Sequence, residues 1–517
     1  MGLARRAGAL AWLLCLRLAR PWQPQQEAQG RTPHDMIFLE LKRSLSIYKQ
    51  LSGVGEVSDF VRRIVGIPYM SVMILDNRLI VDRRMLHIKK GLHHVEFVKS
   101  IMERGPLPNI VYQFEANADG IQSDDQLFRE GCPTPKAFPA ASDVRVKPKS
   151  RIKQKVVEPL PKIVIAKRYG YDQCGLLMPN CYFDAIGKWD KLSKEIIAAT
   201  KRIKFEDRDS RVFWRGTIRE QSDCADDTGN FARLQAVSLS AAHPDTFDVK
   251  CTSCQPRDEK KRACAALPYD ADMRRAMGRG NRSAISGEHV DKTTFGNYRY
   301  QLNLPGSVSG SYSRNLNHLW MLGSAVVLWD APYVEWYYPA LQDGVTHVSV
   351  NKSDAFSVVR GLSEARTLKL AAEAARVHRE FLSAGALAAY WRELVRQYRD
   401  HFGLAAVVDS PAFLETALRP ALNMSEMQFV EFRQEAGKTK FALINKLSRV
   451  VHPLQPGAPR DKDQPSINQL IRQDMDTGRG SDAAPRNVRL FTAPLQTADA
   501  ERRRRRASKT KHRRRIV

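Results

Sequence analysis

A run of small residues, Gly306-Ser307-Val308-Ser309-Gly310-Ser311, stands just ahead of Ser313, Arg314 and His318. Glycines let a backbone approach a ligand closely, and serines add hydroxyl groups. A cation on the segment that follows adds charge. Together these are the parts of a phosphate site. Ser309, Gly310, Ser311 and Ser313 are the candidates for its cradle, and Arg314 for its cation. Gly216 and Thr217 follow the apolar run Val212-Phe213-Trp214, where N–H and hydroxyl groups can meet a nucleotide. Arg215 between them has a structural alternative, pairing with a buried carboxylate. Many glycine–serine loops are only turns, so the surrounding elements must decide.

Two other groupings could hold metal. Asp270-Ala-Asp272 is a short carboxylate pair in polar chain, outside the runs that would build a sheet. A surface position is the expectation there, and with it chemistry that needs no metal or other cofactor. Cys251-Thr-Ser-Cys254, with Cys264 and Cys224, could form a four-thiolate zinc site. Disulfides in an oxidising compartment are the favoured alternative. With Cys15 set aside, seven cysteines remain, an odd number that leaves at least one unpaired within the chain.

Alternating strands and helices must position these residues. Ser71 to Val81 reads as strand, turn and strand, with Asp76-Asn77 at the turn. Helices are expected over 34–53, 93–104 and 189–200, and strands over 109–114 and 164–166. From residue 211 the expected order is strand 212–214, helix 230–243, strand 247–249, strand 298–304, helix 314–322 and strands 324–329 and 345–350. Helices over 353–362 and 364–402 follow. In the last, Leu370, Ala374, Val377 and Phe381, then Leu387, Trp391, Leu394 and Tyr398, recur at helical spacing. Such alternation predicts an α/β fold with parallel sheets covered by helices. Beyond 403 one helix-like patch is expected, Asn423 to Leu447. Residues 450–517 read as disordered.

The chain has 517 residues, 43% of them apolar, enough for two ordinary domains and a tail. Its net charge of +26 is partly local, since residues 501–517 hold ten Lys/Arg against one Glu. A block of that kind seeks anionic partners. Met1 to Arg6 is basic and Ala7 to Leu16 is an apolar run of ten, too short for the ~20 residues that span a bilayer. A secretory signal is the best reading, with a plastid or mitochondrial leader as the alternative. Sequons at Asn281, Asn351 and Asn423 agree with a secretory route through the endoplasmic reticulum or Golgi.

Three ordered blocks carry a family resemblance. They are Ile203-Lys204-Phe205-Glu206 with Val212-Phe213-Trp214-Arg215-Gly216-Thr217; Arg233-Leu234 with His243-Pro244-Asp245; and Tyr298 to Val350. Over roughly residues 55–402 the chain resembles the protein O-glucosyltransferase and capsule-associated enzymes of glycosyltransferase family 90. The resemblance implies two Rossmann-like lobes facing across a cleft, the GT-B arrangement. The divisions are then a leader and spacer (1–30), an acceptor-side lobe (31–200), a donor lobe (201–402) and a largely disordered basic extension (403–517).

The resemblance also assigns roles. Arg233 and Arg314 would contact the donor diphosphate, and Glu335 in Tyr333-Val-Glu-Trp-Tyr-Tyr338 would accept hydrogen bonds from a ribose or sugar. Its aromatic neighbours read as core. Asp119 is the choice for the base that takes the acceptor proton. It falls one residue late, and Asn109 stands where the family has an aspartate; Glu115, Asp124 and Asp125 are alternatives. Pro179, Asn180, Tyr182 and Phe183 would line the sugar and acceptor pocket. The implied activity is inverting transfer of glucose or xylose from a UDP-sugar to a protein serine or a glycan hydroxyl. The alternative is a non-catalytic carbohydrate-binding protein on the same fold. The basic tail could hold an anionic glycan, and no stable nucleic-acid partner is expected.

Overall fold

The structure, a computed structural model, describes residues 30–66, 70–115, 160–167, 174–183, 185–218, 228–254, 286–306, 314–331, 333–410, 429–435 and 438–443. All lie in Met1–Leu454, the first of two units; Gln455–Val517 forms the second. The presumed leader, Asp119, Asp124, Asp125, the cradle residues Ser309, Gly310, Ser311 and Ser313, the Asp270/Asp272 pair, the sequons at Asn281 and Asn423, and the tail from 450 lie outside the described residues.

The chain opens with helix α1 (Pro33–Ser46). Thr32 and Asp35 close a reciprocal cap at its start, and Pro33 fits the first turn, where no N–H is needed. Helix α2 (Val54–Val65) buries Val57, Phe60, Val61 and Ile64, one stripe at helical spacing. Strands β1 (Ser71–Leu75) and β2 (Arg78–Asp82) form the expected hairpin. Asp76 and Asn77 both take positive φ, 49° and 57°, as a two-residue turn matched to the strand twist requires. Helix α3 (Lys89–Met102) leads to β3 (Ile110–Phe114), then β4 (Lys162–Val164), β5 (Leu176–Leu177) and helix α4 (Ile186–Thr200).

These strands belong to a seven-stranded sheet. Parallel pairing was expected, yet it is confined to β3–β4–β5. β1 pairs antiparallel with both β2 and β3. The short hairpin decides the β1–β2 pair, because strands joined by two residues can only run antiparallel. The other edge brings a correction. The helix expected over Asn423–Leu447 is an antiparallel hairpin, β11 (Phe429–Glu435) and β12 (Lys438–Leu443), added to the sheet through β2. Local pattern did not reveal that β2 had an open edge for a distant segment to fill.

The second sheet has five strands, all parallel: β6 (Asp209–Ile218), β7 (Phe247–Cys254), β8 (Tyr298–Asn303), β9 (Ala325–Trp329) and β10 (Val348–Val350), in the order β10-β9-β8-β6-β7. Helix α5 (Thr228–Ala242) joins β6 to β7. Both faces are buried. Val212, Trp214, Val327 and Trp329 pack into one core, while Phe213, Val326 and Leu328 pack into the other. That is why Val212-Phe213-Trp214 and β9 read as continuous apolar runs. β7 and β8 alternate instead, and β8 buries Gln301 and Asn303 among its apolar residues.

The helix expected over 314–322 is shorter, α6 (Leu316–Leu319). Helix α7 (Ala355–Arg360) follows β10. The long helix expected over 364–402 is two: α8 (Glu364–Val377), a widened turn His378–Leu382, and α9 (Ala384–His401). Ser383 marks the break. Its side chain accepts from the Ala386 N–H and starts a new helix. Helix α9 then packs its stripe of Leu387, Trp391, Leu394 and Tyr398 in the core of the seven-stranded sheet.

Candidate functional site at the carboxyl end of the parallel sheet

From β6 the chain moves outward to β7, then returns to the far side of β6 to form β8. The strand order reverses between β6 and β8. In open α/β sheets a crevice forms outside the carboxyl ends of the strands at such a point. The residues there are Thr217 and Ile218 at the end of β6, and Leu304 and Pro305 after β8.

Arg233 spans this reversal. Its Nε donates to the Pro305 carbonyl at 2.8 Å and its Nη1 to the Thr217 carbonyl at 2.5 Å. The guanidinium lies 5.4 Å from the centre of the Trp214 ring. Helix α5 thus ties the ends of two neighbouring strands together. Gly216 has its own packing reason. A Cβ there would strike the Trp214 ring, so only glycine lets that ring fold back along the strand.

Arg215 takes the structural alternative. It grips the Asp248 carboxylate with Nη2 at 2.8 and 3.0 Å, and Tyr298 donates its hydroxyl to the same carboxylate at 2.7 Å. Asp248 is buried, so its charge is answered within the fold. Arg208 is buried too, and it donates to the carbonyls of Leu322, Gly323 and Thr200. Both arginines serve the scaffold.

Arg314 is different. It is exposed, with its guanidinium 4.2 Å from the centre of the Tyr182 ring. Among the described residues it makes no ion pair. Tyr182 comes from the segment after β5 in the other sheet, and its ring lies near His93 of α3, ring centres 6.0 Å apart. The structure therefore brings together two candidates expected from different lobes.

Asn180 and Asn317 join the same two regions beneath. Each side-chain amide donates to the other's oxygen, at 3.0 and 3.1 Å, and both are buried. Asn180 also donates to Glu335 at 3.3 Å. Glu335 is 1% exposed, and burial pushes its carboxyl up to about 8 against the pull of Asn180. It sits at this junction, protonated at neutral pH, with Trp336 and Tyr337 as core around it. Lys167 and Val334 add a pair of backbone hydrogen bonds between the same segments, 3.1 and 2.9 Å long. Pro179 and Phe183 are buried beside Asn180, and Phe183 packs edge-on against Trp189.

Two residues here, Lys292 and His378, carried no signal in the sequence. Lys292 reaches Asn315, whose amide donates to the Arg215 carbonyl at 3.3 Å. His318 stands edge-on to Trp189, and His378, from the turn between α8 and α9, approaches that indole from elsewhere. Burial, with a smaller push from Lys292, lowers His318 to about 4, and burial lowers His378 to about 4. Both imidazoles are neutral at pH 7. Trp189 was quoted only for its place after the Pro179–Phe183 segment. Lys292 and His378 become neighbours of the site only through the fold.

Two other expectations find their place. Asn109, where the family has an aspartate, accepts from the Asp76 N–H at 2.7 Å and donates to the Val408 carbonyl at 3.2 Å. A carboxylate could not make the second bond. Glu115 is buried with Lys162 Nζ at 3.7 Å. Cys251 is disulfide-bonded, which takes it out of a four-thiolate zinc site, and Cys174 is disulfide-bonded as well. Cys181 is a buried thiol.

The model of glycosyl transferase family 90 matches residues 176–412, and the resemblance read in the sequence is borne out over that stretch. No curated protein matches the chain. Among solved structures, a GtfA/B complex is similar at 15% identity and a TM-score of 0.25, over 38% of this chain and 39% of that one. A trehalose-6-phosphate protein from E. coli bound with UDP-2-fluoro glucose is similar at 12% identity and a TM-score of 0.25, over 40% and 50%. A glycosyltransferase from Rickettsia africae ESF-5 is similar at 9% identity and a TM-score of 0.23, over 40% and 52%. The chain thus spans about half or less of the length of each. The family match supports a glycosyl-transfer role.

Proposed function

We propose that this protein is an inverting glycosyltransferase that binds a UDP-sugar at the carboxyl end of the parallel sheet. The observation that carries the reading is Arg314: an exposed guanidinium, without an ion pair among the described residues, beside a strand-order reversal. The seven-stranded and five-stranded sheets act as acceptor and donor lobes facing across a cleft. Thr217 and the loop 307–313 meet the nucleotide, Arg314 stabilises the diphosphate, and Arg233 holds the two strand ends that carry these loops. Tyr182 and its neighbours line the acceptor side.

In the reaction an acceptor hydroxyl attacks C1 of the sugar, and the bond from C1 to the diphosphate oxygen breaks. Asp119 takes the hydroxyl proton and UDP leaves. Attack from the face opposite the leaving group inverts the anomeric centre. Negative charge grows on the departing diphosphate, and a fixed cation there lowers the barrier. The sugar is glucose or xylose, the acceptor is a protein serine or a glycan, and no metal is required. The disulfides at Cys174 and Cys251 favour an oxidising compartment, in keeping with a secretory route.

The test is release of UDP from a panel of UDP-sugars by the full chain with chelator present, alongside direct measurement of donor binding. Release from one or two donors, lost in Asp119→Asn, supports the reading. Binding without release, even with candidate acceptors, moves the protein to the non-catalytic alternative. Neither binding nor release with any donor overturns the proposal.

A further inference from the structure

A second cation stands beside Arg314, and nothing in the family match assigns it. Lys292 opens a short helical turn, Lys292–Asn297, that leads into β8. Its ammonium is largely enclosed, yet no carboxylate among the described residues pairs with it. It donates to the Asn315 side chain and lies 4.6 Å from the centre of the Phe295 ring. Asp291, next in the chain, is committed elsewhere: its carboxylate accepts from the N–H and hydroxyl of Thr293 at 2.9 and 2.8 Å. The neighbouring imidazole, His318, offers no negative charge.

Two other enclosed cations next to the five-stranded sheet are answered within the fold. Arg215 has Asp248, and Arg208 has a set of carbonyls. Lys292 has one amide oxygen and a ring, with three N–H bonds to place. Enclosure lowers its ammonium to about 8, and the smaller opposing pull of the Asp291 carboxylate does not make up for it. Its position matters as much. Asn315 directly follows Arg314 and bonds to β6. Lys292 therefore touches the segment that carries the exposed guanidinium, which is itself bonded to β6.

We infer that Lys292 is a second cation for the diphosphate of the bound nucleotide, acting with Arg314 across the ends of β6 and β8. This rests on the donor-site reading above and adds to it a residue and a division of labour. Arg314 is the exposed cation that meets the incoming diphosphate, and Lys292 is the enclosed one that the diphosphate neutralises.

The test compares binding of UDP with binding of uridine, which lacks the phosphates, by calorimetry on the full chain. The variants are Lys292→Met, of similar volume, and Lys292→Arg, which keeps the charge; thermal melts report folding. The expected result is a loss of UDP affinity of about tenfold or more in Lys292→Met. Uridine affinity should be unchanged, and Lys292→Arg should recover much of the loss. A merely structural role would weaken both ligands together. If Lys292→Met does not fold, Lys292→Gln, which keeps an N–H for Asn315, carries the same comparison. A wild type that binds UDP well above uridine, with the ratio unchanged in Lys292→Met or Lys292→Gln, overturns this inference and leaves the donor site standing. A wild type that binds neither overturns both.

Discussion

The interior of the five-stranded sheet and its carboxyl rim treat charge in opposite ways. Inside, Arg215 meets Asp248 in a two-pronged pair joined by Tyr298, and Arg208 is enclosed by carbonyls. At the rim, Arg314 and Lys292 rest on aromatic rings and an amide, with no ion pair among the described residues. A cation that serves only the fold needs its counter-charge from the fold, because an unpaired buried charge is costly. On the function proposed above, a cation kept for a ligand is left without such an answer. The contrast separates the two kinds of arginine where residue type cannot.

The largest effect should come from breaking the interior. Asp248→Ala strands Arg215 without its carboxylate, and loss of one partner of a buried pair costs about 3–5 kcal/mol. Denaturant unfolding should show that loss, and a change below about 1 kcal/mol would deny the pair its structural role. Arg314→Ala should do the reverse. Donor affinity should fall about ten- to hundredfold, the range for a hydrogen-bonded charge. The melting temperature should scarcely move, since the side chain is exposed. Equal donor affinity in the variant would erase the contrast.

Glu335 sharpens the comparison at the junction of the two sheets. Its folded value of about 8 lies above the ordinary 4.5. The native state therefore holds a proton that the unfolded chain gives up between these values. That contribution is complete below about pH 4.5 and is lost as pH rises through 8, with a slope of at most about 1.4 kcal/mol per pH unit. Glu335→Gln should flatten this dependence, most visibly between pH 6 and 8 in thermal melts. A variant with the wild-type slope would show that Glu335 is ionised in the fold. The smallest effect belongs to Arg396, which pairs on the surface of α9 with Glu393 and Asp400. Arg396→Ala should change stability by no more than about 1 kcal/mol, because water and salt already screen exposed pairs.

Much of the molecule is legible without coordinates. Asp76-Asn77 marked the hairpin, because few other residues accept positive φ at two successive positions. The apolar runs at 212–214 and 325–329 marked buried parallel strands, because a strand covered on both faces can be apolar throughout. The blocks around Trp214 and Arg314 carried the family resemblance, and both lie in the stretch that the family model matches. Wherever a property depends on the backbone of a few adjacent residues, or on one stripe at a fixed period, local pattern suffices.

Tertiary structure decided the rest. The edge hairpin at Phe429–Leu443 is a strand pair because β2, some 350 residues earlier, offers open hydrogen bonds. Arg215 and Arg314 look alike as residues, yet one faces a carboxylate brought by β7 and the other an aromatic ring brought by the segment after β5. Lys292, Asn317 and His378 have no signature of their own. They gain meaning from neighbours distant in sequence. Sequence by itself determined which segments can bury apolar surface and turn. Which charges those segments satisfy, and which they leave for a ligand, was set only when the strands took their places beside one another.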